Sequence, residues 1–235
     1  MIIVGVNVML NIFQTEKNET AKQYATRTLL HNIICLNLKP GEKLIENELC
    51  SQLGLSRTPV REAILQLNRQ NMIDIYPKQG TYVSLIDTTL IDEFLAMRSL
   101  MVCEVAKLAC DMFHPDDIEK LREITAVWDY YANSKNSIKM QEYDKEFHNH
   151  IYHICNKQFW CNVINNNSHQ FDRILNLVQD SMPVDFLHDD HTGLIDAIEV
   201  HDKEKAYAIT SKHLSRFYNF SYPIKNIYPD YFKKV

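Results

Sequence analysis

One stretch constrains the fold of this chain more than any other: KPGEKLIENELCSQLGLSRTPVREAILQLNRQNMIDIYPKQGTYVSL, residues 39–85. Lys39-Pro40-Gly41 interrupts helical pattern, because Pro lacks an amide proton and Gly favours irregular backbone. Ile45 to Leu53 then reads as a short helix, with Gly54 at its C-cap position. Ser56 or Thr58 can cap a further helix running to about Asn71, with Pro59 in its first turn. Ile73–Tyr76 and Thr81–Leu85 are β-branched and aromatic and flank Pro77-Lys78-Gln79-Gly80, a hairpin signal. Helix, tight turn, helix and hairpin make a winged helix-turn-helix, a layout that sets one helix in a DNA groove.

Residues before and after this stretch read as helices. Glu19 to about Leu36 forms the first. From Asp87 onward the pattern predicts helices over 87–112, 115–134, 138–155, 158–180, 185–200 and 203–220, six after the wing. The fold class expected is mainly α: an N-terminal winged helix-turn-helix plus a C-terminal all-helical antiparallel bundle. The boundaries that follow are an arm over 1–18, the winged unit over 19–86, the helical domain over 87–222, and an irregular tail over 223–235 punctuated by Pro223 and Pro229. The apolar start MIIVGVNVMLNIF is far shorter than the ~20 residues that span a bilayer and lacks a secretory leader's basic flank. A cytoplasmic protein with no membrane partner is expected, starting at Met1 or Met9.

Charge divides unevenly. Residues 1–86 hold 9 Lys/Arg against 7 Asp/Glu, a net of +2, whereas 87–235 hold 16 against 23, a net of −7. The overall −5 is therefore an excess of acid away from the winged stretch. A +2 footprint is mild and identifies no DNA binder by itself. The six cysteines show no CxxC pairing, which argues for reduced thiols and against a disulfide framework or zinc ribbon.

On a helical wheel Val60, Ala63, Ile64 and Leu67 share an arc of roughly 100°, a core-facing stripe. Arg57, Thr58 and Arg61 fall in the neighbouring arc near the helix start. Arg bonds guanine O6 and N7 bidentately or clamps phosphate, and a helix N-terminus favours phosphate. A solvated basic face is the bland alternative. The turn before and the hairpin after favour DNA, with the tip Lys78-Gln79-Gly80 placed to enter a minor groove.

In the second half, Asp144 and His148 stand about 40° apart on one helix face and can reach one ion. His191 and His213 flank a break near His201-Asp202, each about 11 residues from it. In an antiparallel hairpin they stand side by side. A bundle that joins the two pairs makes an Asp-His₃ set, suited to Zn, Ni, Mn or Fe with positions open for water or a carboxylate. With 10 histidines in the chain, ordinary surface or core histidines are the alternative.

These residues resemble a known family. LGLSRTPVREAI, preceded by KPGEKLIENELCSQ and followed by the KQGTYV wing, resembles the GntR family of bacterial repressors and activators over about 50 residues. The resemblance implies homodimers that bind double-stranded operator DNA through Arg57, Thr58 and Arg61, with Gln79 and Gly80 at the wing. Asn37 and Asn71 stand where such proteins usually carry Gly; Asn tolerates left-handed backbone. DKEFHNHIYHICN, HTGLIDAIEVHDKEKA and SKHL resemble the FCD sensor domain of the FadR-like branch. The six-helix count is nearer its VanR-type group than its seven-helix type. That likeness implies a divalent metal (Zn, Ni or Mn) on Asp144, His148, His191 and His213. Arg98 is retained in FLAMRSLMVCEVAKLAC and can meet the carboxylate of a small organic acid effector or sit in a structural ion pair. Val102 replaces the usual acid there, and His169 is a further pocket candidate.

The function expected is a transcriptional regulator, not an enzyme, whose operator affinity answers to a carboxylate effector in a metal-containing domain. A metal-dependent enzyme with an accessory DNA-binding-like domain is the alternative, since open Asp-His₃ coordination can activate water. No separate general base, phosphate loop or nucleophile elbow supports it.

Overall fold

The structure, a computed structural model, describes residues 9–178 and 185–234. Helix α1 (Ala21–Ile34) opens on a capping box: Thr20 Oγ1 accepts from Gln23 N, and Gln23 Oε1 accepts from Thr20 N. Each bond satisfies an amide left over at the helix start. Strand β1 (Lys43–Leu44), α2 (Glu46–Leu53) and α3 (Arg57–Arg69) follow, then the hairpin β2 (Ile73–Tyr76) and β3 (Gly80–Val83). The sheet is antiparallel in the order β1-β3-β2. A two-residue strand offers no alternation to read, so β1 had no signature of its own in the sequence.

Gly54 closes α2 in the left-handed conformation, φ 66°, as the C-cap expectation required. Asn71 takes φ 58° before β2, so an Asn does carry the left-handed turn at that position. At the earlier turn the left-handed residue is Leu36, φ 60°, and not Asn37. Asn37 instead donates from Nδ2 to Asn32 Oδ1 at 3.1 Å, which ties it to α1. The stripe expected on α3 is the core of this region: Val60, Ala63, Ile64 and Leu67 are buried with Leu29 and Ile33 of α1, Leu49 and Leu53 of α2, and Ile73 and Val83 of the wing.

Among the described residues seven α-helices follow the wing, not six: α4 (Thr88–Met112), α5 (Pro115–Asn133), α6 (Ser137–Ile154), α7 (Gln158–Asn167), α8 (His169–Val178), α9 (Asp185–Glu199) and α10 (Lys203–Ile227). The helix expected over 158–180 is broken at Ser168, and its last two positions lie outside the described residues. The cause is the run Asn165-Asn166-Asn167-Ser168. Asn167 Nδ2 bonds Val163 O and Ser168 Oγ bonds Asn165 O, side-chain bonds that compete with the helical ladder. The extra helix removes the argument for the shorter six-helix group. The tail is not irregular from residue 223: α10 runs through Pro223 to Ile227, and a 3₁₀ turn (Pro229–Tyr231) follows. Buried Ile224 and the bond from Lys225 Nζ to Thr88 Oγ1 (3.1 Å) hold the helix past its proline.

The chain divides into two compact units. The first gathers the described residues of Met1–Ile91, His169–Leu177 and Lys225–Val235; the second those of Asp92–Ser168 and Val178–Ile224. In the first unit α8 donates to three backbone carbonyls: Asn176 Nδ2 to Ile34 O (2.9 Å), Gln170 Nε2 to Asn71 O (2.7 Å) and Arg173 NH2 to Ser84 O (2.7 Å). The C-terminal segment joins the same unit through a parallel bridge between Ile86 and Phe232. These bonds explain why the units are not divided by a single cut after residue 86. In the second unit α5 packs on α6 and α9, with Trp128, Leu121, Phe147, Ile195 and Ile198 buried between them.

Candidate DNA-reading helix and candidate metal centre

In the first unit α3 starts after Ser56, whose backbone is extended (φ −71°, ψ 167°) and whose side chain makes no bond to its own helix. Arg57, Thr58 and Arg61 are all exposed at this end, and neither arginine is in an ion pair among the described residues. Their charges are thus free to meet an anion, beside amides that lack intrahelical partners. Gln79 is exposed at the hairpin tip and Lys78 takes φ 63° there. Gly80 has φ 142°, and a Cβ on it would stand 3.0 Å from Lys43 Cε and 3.2 Å from the Tyr82 ring. The backbone conformation favours glycine at that position, while the Lys43 side chain can move aside. Lys43 belongs to the wing as well, 5.9 Å above the Tyr82 ring, and only the unforeseen pairing of β1 reveals it.

In the second unit α6 carries Asp144 and His148, α9 carries His191 and α10 carries His213. One donor atom from each lies within 4.8 Å of the others. His191 Nε2 is 3.2 Å from Asp144 Oδ1, and His148 Nε2 is 3.9 Å from Asp144 Oδ2. The imidazoles of His191 and His213 are 5.5 Å apart between centroids, side by side across the α9–α10 turn as their spacing required. That turn sits where the break was expected: His201 has φ 58°, and Asp202 Oδ1 accepts from Lys205 N to start α10.

Electrostatics at the cluster run in two directions. Burial pushes the His148 imidazolium well below its ordinary range, so the ring is neutral with lone pairs available. Burial alone would raise the Asp144 carboxyl, but the close approach of His191 Nε2 overcomes it and lowers the group. Both nitrogens of His148, both of His191 and Nδ1 of His213 are buried without hydrogen-bond partners. One ring nitrogen from each of three histidines meeting an ionised carboxylate fits a divalent cation, which imidazole and carboxylate ligands suit. Beyond the four, Asp190 Oδ2 stands 3.3 Å from His213 Nδ1, and Asp190 Oδ1 is 3.1 Å from Arg216 NH2. Asp190 was not singled out in the sequence, although HDDH places it directly before His191.

Of the two effector candidates, Arg98 lies on α4 in the same unit as the cluster, and its charge is one of the causes that depress His148. His169 opens α8 and lies in the first unit, not with the four ligand candidates. Val102 is buried, which an apolar residue suits better than the acid usual at its place.

A winged helix-turn-helix with an open cationic helix start, carried on one chain with an α-helical unit, is the build of a bacterial transcription regulator. The chain belongs to the GntR family: residues 22–83 match the model for bacterial regulatory proteins of the gntR family, and residues 93–216 match the FCD domain. It is similar to the HTH-type transcriptional repressor RspR of Escherichia coli, 25% identical over 224 residues that cover 94% of this chain and 98% of that protein. The HTH-type transcriptional regulator McbR of E. coli is 30% identical over 136 residues, 58% of this chain and 62% of McbR. The solved structure of E. coli McbR/YncC shares the fold, with a TM-score of 0.73 at 23% identity over 89% of this chain and 99% of that one. These relatives are regulators, not enzymes. No described helix is long and apolar enough to cross a membrane.

Proposed function

We propose that this GntR regulator binds operator DNA as a homodimer in the cytoplasm, and that a small organic acid alters its affinity from a metal-containing pocket in the FCD domain. The observation that carries this reading is the meeting of one donor atom each from Asp144, His148, His191 and His213 within 4.8 Å. Four protein ligands leave a Zn, Ni or Mn ion open positions for a carboxylate. Arg98, beside His148 in charge, is the cation suited to the carboxylate's second oxygen. His169 has no part in this proposal. Arg57, Thr58 and Arg61 contact DNA from α3, and Gln79 and Gly80 from the wing. The acid controls binding only if it favours one arrangement of the two DNA-reading units over another.

The test is fluorescence anisotropy at fixed salt, using a fragment recovered from genomic DNA by selection on the protein. A panel of mono-, di- and hydroxycarboxylic acids is added to metal-loaded and chelator-treated protein. At least one acid should shift operator affinity in the loaded protein alone. If every acid leaves both forms unmoved, the effector reading fails; if the chelated form responds equally, the metal's role fails.

A further inference from the structure

Among the described residues the three histidines of the cluster differ in what stands behind them. His148 Nδ1 and His191 Nδ1 are buried with no hydrogen-bond partner. Behind His191 lie rings, with Trp128 at 5.3 Å edge-on and Phe147 at 4.3 Å between centroids. His213 Nδ1, by contrast, faces the buried carboxylate of Asp190 at 3.3 Å. Neither Asp190 Oδ2 nor His213 Nδ1 makes a hydrogen bond among the described residues, so the two buried atoms stand in contact with no competing partner for either. The opposite oxygen of Asp190 meets Arg216 NH2 at 3.1 Å, one turn along α10 from His213. Asp190 is 6% exposed, so this carboxylate is not a solvated neighbour.

We infer that Asp190 is a positioning residue for the metal centre: it accepts a hydrogen bond from His213 Nδ1–H once the ion is bound, fixes that tautomer, and leaves Nε2 as the ligand nitrogen. The inference rests on the metal reading above. An imidazole in a protein–metal bond commonly donates its second N–H to a carboxylate, which sets ring orientation and raises basicity. Here α9 supplies both a ligand, His191, and the support for a ligand on α10, His213. Arg216 holds the support in turn. The site then rests on one histidine oriented by charge and two held by packing. Loss of the Asp190 carboxylate therefore strikes one ligand of the four.

The test uses full-length protein and cobalt(II) as the probe, with chelator competition for affinity and visible absorption for coordination. Wild type should bind one equivalent. Asp190→Asn, nearly identical in shape, should bind about 10- to 100-fold more weakly with an altered absorption band. Asp190→Glu should recover part of the affinity. Equal affinity and spectrum for D190N and wild type would overturn the inference while leaving the metal reading intact. A wild type that takes up no cobalt would overturn both. If D190N does not fold, long-range ¹⁵N–¹H correlation spectra of zinc-loaded wild type decide: a proton on His213 Nδ1 supports the inference, and a proton on Nε2 ends it.

Discussion

Arg173 donates to the carbonyl of Ser84 at 2.7 Å, from a side chain with no measurable exposure. It also donates to Gln170 Oε1 at 3.2 Å, and burial lowers its pKa to about 10. A buried guanidinium held by neutral acceptors is costly, yet it satisfies the carbonyl where the chain leaves the wing. The Arg173→Ala variant should lose about 2–3 kcal/mol in urea unfolding, the range for a hydrogen bond to a charged group plus an orphaned acceptor. Arg173→Met should lose much less, because it removes the buried charge and keeps most of the volume. Equal losses in both would show that the bond to Ser84, absent from both variants, and not packing, is what Arg173 contributes.

Among the described residues neither Arg57 nor Arg61 is in an ion pair, so removing both should not disturb folding. Their combined Ala variant should unfold within about 0.5 kcal/mol of wild type. Its operator affinity should fall by at least about 2 kcal/mol, roughly 30-fold, since each base or phosphate contact is worth about 1–3 kcal/mol. Anisotropy titration against a selected operator, repeated at two salt concentrations, checks both numbers. Undiminished affinity would remove α3 from the DNA interface.

The metal cluster predicts a linkage between chelator and stability. A ligand present at ~1,000 times its Kd stabilises the folded state by about 4 kcal/mol. Wild-type protein should therefore melt at lower temperature after chelator treatment. The double variant His148→Ala, His213→Ala should contain no metal by elemental analysis and should melt at one temperature with or without chelator. Metal retained at wild-type stoichiometry would show that the ion, if any, lies elsewhere.

Acid should loosen the start of α1. Arg27 bonds both oxygens of Glu19 at 2.8 Å and holds that carboxyl down at about 2, against an ordinary 4.5. Because the folded-state value is the depressed one, the stabilisation is complete above about pH 4.5 and disappears as pH falls through about 2. The stability gap between wild type and Glu19→Gln should accordingly be constant from pH 7 to about 5 and shrink below it. A gap that stays constant down to pH 2.5 in urea melts would mean the pair adds nothing.

What the sequence made legible followed strong local rules. The α3 stripe, the left-handed Gly54 and the α9–α10 turn each depend on residues within a few positions of one another, where periodicity and caps speak. The Asp-His₃ gathering was legible in part: spacing lined up Asp144 with His148 and His191 with His213, and the resemblance to the FCD domain joined the two pairs. Misreadings came where long-range contacts decide. Pro223 looked like a stop, but Ile224 and Lys225 anchor the helix beyond it. The break at Ser168 was written in three consecutive asparagines, a local signal that was passed over. Lys43 and Asp190 carried no such mark, since each matters through a partner far along the chain, Tyr82 and His213.

The bridge from Ile86 to Phe232 has a bearing on biosynthesis. Ile86 donates to Tyr231 O at 2.8 Å, Lys233 donates back to Ile86 O at 3.0 Å, and Phe232 is buried. A ribosome that has just finished the wing has made only part of the unit that carries α3; the helix that grips its carbonyls comes about ninety residues later, and the clasp at Phe232 later still. A fragment cut after the wing should thus be a poorer fold than the same residues within the whole.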